Sequence, residues 1–196
     1  MKGVSFMQVF IPSVGMMLVG GLVALFFSYT SGVVFFETNF DSFWNSLLLG
    51  AFFGVGLFVF LTILMFLVRP FSSQIDAITI ELNTLFSDFN WLMIVFISLV
   101  AGIGEELIFR GLIQRYLADI LNPFFALLLA SMLFGLCHYL NRLYVFIAFA
   151  MGLVIGGIYH VSGDLLLVMV LHAVYDFFAF TMIIKYPHLL GLKINS

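Results

Sequence analysis

Residues 43–68 contain no ionisable side chain. About 20 apolar residues already cross the hydrocarbon core of a bilayer as a helix. In lipid every backbone polar group must be satisfied within its own segment, so only helices and closed barrels span. Runs of this length fit helices. Further apolar runs occupy residues 6–29, 91–109 (continuing to about 119), 123–139, 143–160 and 165–184. The expected fold is all-α: a polytopic membrane bundle of about six transmembrane helices plus one interfacial amphipathic helix. Only 9% of residues are charged and mean hydropathy is +1.23, whereas soluble domains carry about 25% charged residues. A single integral membrane domain over 1–196 is expected, in the cell membrane, with the lipid bilayer as its first partner. The run at 6–29 lacks a signal-peptidase-like end and reads as a retained anchor.

Charge sets the expected orientation. Lys2, Arg69, Arg142, Lys185 and Lys193 fall on one side of the bundle, and Arg115 on the other with Glu37 and Asp41. The positive-inside rule then places both termini in the cytoplasm. A formal net charge of −3 without a basic run argues against nucleic acid as a partner. The single cysteine, Cys137, excludes an internal disulfide framework. Between the second and third spans, Phe71, Ile75, Ile78, Leu82, Leu85 and Phe89 recur at steps of three and four. Ser73, Asp76, Thr79, Glu81, Asn83 and Asp88 fill the other faces. This is an amphipathic helix opened by Pro70 and a serine cap, lying on the cytoplasmic interface. It is either a connecting elbow or a gate. Gly50/Gly54 and Gly152/Gly156 have the spacing of close helix contacts.

Ionisable groups at membrane depth cost roughly 2.5–3.5 kcal/mol each on insertion scales. This chain places Glu105, Glu106, Arg110, His138, His172 and Asp176 there. Glu106 and Arg110 are four apart and share a helix face, as are His172 and Asp176. Glu105 points about 100° away from Glu106. A turn at Asn122-Pro123 puts Glu105 and His138 almost level on an antiparallel pair, about 23–25 Å from the turn. If Trp91 marks the inner boundary, Glu105 lies about 21 Å across the bilayer, deeper than His138. A tilted, extended third helix or a water-filled cavity would reconcile the two.

Glu105-Glu106-x-x-x-Arg110, Phe134-x-x-x-His138 and His172-x-x-x-Asp176, in this order on separate helices, resemble the CPBP family. That family comprises CAAX-type prenyl-protein endopeptidases and bacteriocin-processing or immunity-associated membrane proteins. The resemblance covers about residues 91–184, the expected catalytic core. It implies an intramembrane glutamate-type endopeptidase, metal-independent and without a cofactor. In it Glu105 and His138 would activate a water, and His172 and Asp176 would stabilise the oxyanion. Glu106, Arg110 and Phe134 would support the motif. The substrate would be a peptide or lipidated protein in the membrane. Family members often carry Asn where this chain has Asp176, and an ionised carboxylate only accepts hydrogen bonds. Asp176 would alternatively orient His172.

Other readings stay open at this stage. Either glutamate could be the base. Cys137 beside His138 suggests a thiol nucleophile, although apolar surroundings disfavour the thiolate. Two histidines with Glu105 and Asp176 have the donor types of a divalent metal site. His160 and His188 lie at helix ends and are expected to be uninvolved. Asp164 reads as a helix cap. A non-proteolytic immunity or regulatory partner that keeps the motif as a binding site, or a small proton-coupled transporter, would carry the same residues.

Overall fold

The computed structural model describes residues 40–69 and 73–191, together with positions 7, 14, 15, 18–22, 26 and 29. The expected first span at 6–29 therefore lies largely outside the described residues, as do Lys2, Pro70, Phe71 and Lys193. Among the described residues the chain is helical, without strands. We number the helices α1 (Phe40–Val68), α2 (Ser73–Phe86), α3 (Trp91–Glu106), α4 (Arg115–Ile120), α5 (Pro123–Cys137), α6 (Arg142–Ser162) and α7 (Leu165–Lys185). A π-helical stretch, Leu107–Gln114, joins α3 to α4 without a break, and a short 3₁₀ turn, Pro187–Leu190, follows α7.

Local sequence explains where the helices begin. Asn90, Asn122, Asn141 and Asp164 each sit at an N-cap, where the side chain accepts a hydrogen bond from the backbone N–H three residues on. This satisfies one of the four orphan donors at each helix start. Pro123 occupies the first turn of α5, where its missing N–H costs nothing. Gly163 closes α6 in the left-handed region, φ 66°, which only glycine enters without penalty. The hairpin between α6 and α7 is short for that reason.

Helices α1, α3, α6 and α7, with the rod continued through α4, are long and apolar enough to span. The exception is α5. It has 15 residues, about 22 Å at 1.5 Å per residue, and stops at Cys137 instead of reaching residue 139. The rod from Trp91 to Ile120 has 30 residues, about 45 Å, against a hydrocarbon core of about 30 Å. It must tilt or project beyond the bilayer. Along this rod Glu105 comes to lie 3.5 Å from His138.

Glycines let the helices approach. An added Cβ on Gly50 or Gly54 would stand 2.6 Å from the carbonyls of Leu167 and Leu171, so α1 runs parallel to α7 in backbone contact. The Ser46 hydroxyl donates to the Asp164 carboxylate at one end of this pair, and Arg69 donates to the Leu190 carbonyl at the other. Gly102 lies against the Ala173 backbone on antiparallel α3 and α7, and Gly135 against Val145 and Phe149 on α5 and α6.

Helix α2 departs from the pattern expected of an interfacial helix. Thr79 and Asn83, placed by their spacing on its outer faces, are both buried. Asn83 Nδ2 donates to the Ile183 carbonyl at 2.7 Å. Four residues after Ile183 stands Pro187, which has no N–H to offer that carbonyl. The asparagine supplies the missing donor, and α2 is thereby pinned to the end of α7. An Arg69–Asp76 ion pair at 2.6 Å ties it to the end of α1.

The close contact of α3 and α7 gives a direct test. Gly102→Ala places a methyl group 2.6 Å from the Ala173 amide nitrogen, and overpacking of this kind costs about 1–3 kcal/mol. A lower melting temperature in detergent is expected for Gly102→Ala. Gly56→Ala, whose added methyl meets nothing within 4 Å, is expected to leave the melt unchanged or raise it slightly.

Candidate active site

The buried polar cluster is built around Arg110. Its side chain is 2% exposed and that of Glu106 0%. Nη1 donates to Glu106 Oε1 at 2.8 Å, and Nη2 to the Gly152 carbonyl on α6 at 3.0 Å. The guanidinium also lies over the Phe134 ring, 4.8 Å from its centroid. One turn further on, Gln114 Nε2 donates to the Gly156 carbonyl at 2.9 Å. Both acceptors are glycines, so no Cβ stands between the donor and the helix backbone. Both donors lie on the π-helical stretch, a conformation found frequently at functional sites.

Glu106 faces a second partner. His172 Nδ1 lies 2.7 Å from the same Oε1. A carboxylate paired with arginine only accepts, so Nδ1 must be the donor. This fixes the ring and turns Nε2 outward, 3.9 Å from Glu105 Oε2 and 3.6 Å from Asp176 Oδ2. His138 is fixed in the same manner. Its Nδ1 lies 2.7 Å from the Phe134 carbonyl, an acceptor, so Nδ1 carries the proton there too. Its ring lies against the Phe134 ring with centroids 4.4 Å apart. His138 Nε2 then faces Glu105 Oε2 at 3.5 Å.

The four residues singled out for chemistry, Glu105, His138, His172 and Asp176, thus converge from α3, the end of α5 and α7. They line a cavity of about 560 Å³. Apolar side chains of α1, α2, α6 and α7, among them Phe58, Met65, Ile78, Leu82, Met151 and Phe180, form its remaining walls. Glu105 lines this space and Glu106 does not. Cys137 is exposed at the end of α5 and does not line the cavity. Nor do His160, in the last turn of α6, and His188, in the 3₁₀ turn.

The cluster and its order along the chain match a known pattern. Residues 87–178 match the family model described as type II CAAX prenyl endopeptidase Rce1-like. This segment belongs to the CPBP family. It contains every residue of the cluster, from Glu105 to Asp176. The apolar spans are those of a membrane protein, and the segment at their centre is similar to a CAAX prenyl endopeptidase family. No curated protein and no solved structure matches the chain.

Sequence spacing did not expose three features of the site. The His172–Glu106 contact joins residues 66 apart. Gln114 pairs with Gly156 across helices. Tyr144 and Tyr175 line the cavity beside the cluster. Spacing within one helix carries no information about any of these.

Removing one member of a buried pair leaves an uncompensated charge, at a cost of about 3–5 kcal/mol. Arg110→Met is therefore expected to lower the thermal melt in detergent sharply. Adding Glu106→Gln, which keeps an acceptor for His172 without the charge, is expected to restore part of the loss. A double variant that melts below the single one would contradict this account.

Proposed function

We propose that this protein is an intramembrane glutamate-type endopeptidase that cleaves a membrane-associated peptide or protein with an activated water. The observation that carries the reading is the pairing of Glu105 Oε2 with His138 Nε2 across 3.5 Å in the lining of a largely apolar cavity. His138 Nδ1–H is committed to a carbonyl, so a neutral ring presents a lone pair toward a carboxylate oxygen. Two acceptors aimed at one another hold a proton, or the hydrogens of a water, between them. That is the arrangement of a general base.

The steps balance as follows. Water attacks the scissile carbonyl carbon, its proton passes to the Glu105–His138 pair, and the C=O electron pair moves onto oxygen. The tetrahedral species collapses, the C–N bond breaks, and the pair returns the proton to the leaving amine. Glu106 is engaged by Arg110 and His172, which favours Glu105 as the base. Phe134 is a positioning residue for His138. Asp176 and His172 complete the far side of the site. The whole chain acts as one membrane domain, with residues 91–184 as its catalytic core.

The family description favours a lipidated substrate, and the apolar walls suit one. Arg69, Arg142 and Lys185 all lie at one end of the bundle, which supports a cytoplasmic placement for that end and for both termini in the cell membrane.

The test compares membranes carrying wild type, Glu105→Gln and His138→Ala by mass spectrometry of released peptides and trimmed C-termini. Each variant is expected to lose the wild-type product set, with rates down at least about 10²-fold, while remaining inserted and folded. Unchanged products in both variants would sink the peptidase and favour a binding or immunity role.

A further inference from the structure

Hydrolysis of a peptide bond develops a negative oxygen, and hydrogen-bond donors must already face it. The polar part of this cavity's lining is rich in acceptors. Glu105 and Asp176 are carboxylates. His138 and His172 have committed their Nδ1–H groups to Phe134 and Glu106. Arg110 directs donors at Glu106 and Gly152 and does not line the cavity. Thr79 donates to the Ile75 carbonyl. A new anion placed here would lie close to carboxylate side chains, and a further donor would stabilise it.

Two phenols line the cavity next to this cluster, Tyr144 in the first turn of α6 and Tyr175 beside Asp176 on α7. Neither hydroxyl makes a hydrogen bond among the described residues. A phenol donates while adding no charge. Tyr144 is the better placed of the two. Its hydroxyl lies within electrostatic reach of both Glu105 and Asp176. Tyr175 has Asp176 and Tyr144 as its charged or polar neighbours. Tyr144 is also held firmly. Asn141 caps its backbone N–H, and Gly135 seats the first turns of α6 on α5.

We propose that the Tyr144 hydroxyl is the neutral donor that meets the oxyanion of the tetrahedral species, in the place where Asp176 can only accept. This rests on the peptidase reading. The hydroxyl transfers no proton. It donates a hydrogen bond as the carbonyl oxygen gains charge and weakens that bond as the C–N bond breaks.

The experiment uses the full chain in proteoliposomes. The substrate is an internally quenched peptide spanning a cleavage site found in the wild-type product set. Tyr144→Phe, Tyr175→Phe and Glu105→Gln are compared with wild type. Tyr144→Phe is expected to lower kcat about 10²–10³-fold, with KM and melting temperature unchanged. It is also expected to weaken a tetrahedral phosphinate analogue of the same peptide by a similar factor, since a transition-state contact is felt by the analogue and not by the substrate. Tyr175→Phe should stay within about threefold of wild type. A Tyr144→Phe enzyme with wild-type kcat and phosphinate affinity, alongside an inert Glu105→Gln, would overturn the Tyr144 role and leave the peptidase standing. Parallel losses in KM and melting temperature would make Tyr144 structural and overturn it equally. A product set that persists in Glu105→Gln would remove the peptidase reading and this inference together.

Discussion

A guanidinium with almost no solvent contact can be tolerated in this bundle only because all of its neighbours answer it. Arg110 meets a carboxylate, a glycine carbonyl and an aromatic face. A buried ion pair is seldom a net source of stability. What this one supplies is position. It holds Glu106 so that the same Oε1 also receives His172 Nδ1–H, and that bond decides which ring nitrogen faces the cavity. By engaging Gly152 it fixes α6 beside the π-helical stretch. The rest of the site is arranged around a residue that does not line the cavity.

The adjacent glutamates thereby take different parts although they are neighbours in sequence. One turns into the bundle, where its Oε1 is held by Arg110 and His172. The other, rotated by about 100°, turns toward the cavity, where Oε2 has no hydrogen-bond partner among the described residues. Second-layer groups that orient a reactive side chain commonly matter nearly as much as the reactive group itself. Glu106, Arg110 and Phe134 fit that description by their contacts.

Much of this was legible from the chain alone. Periodicity and hydropathy placed α1, the long rod, α6 and α7, since each is decided by local apolar length. The Glu106–Arg110 pair followed from its four-residue spacing, and the Glu105–His138 meeting from counting back and forward from Asn122-Pro123. What spacing could not reach depended on other helices. Asn83 and Thr79 look like solvent-facing residues of an amphipathic helix. Asn83 is buried because Pro187, more than a hundred positions away, leaves a carbonyl without its donor. The early stop of α5 was hidden as well. The residues around Cys137 and His138 remain apolar enough to continue a helix, and the backbone turns there instead.

That early stop also shapes the lipid around the protein. A helix about 22 Å long whose outer face bears Phe124, Phe125, Met132, Leu133 and Leu136 matches a hydrocarbon layer about 8 Å thinner than the usual 30 Å. Lipids beside α5 must shorten or tilt their chains to meet it, at a modest cost per ångström of mismatch. The annulus is therefore uneven: thick along α1, whose apolar side chains face outward over its whole length, and pinched at α5.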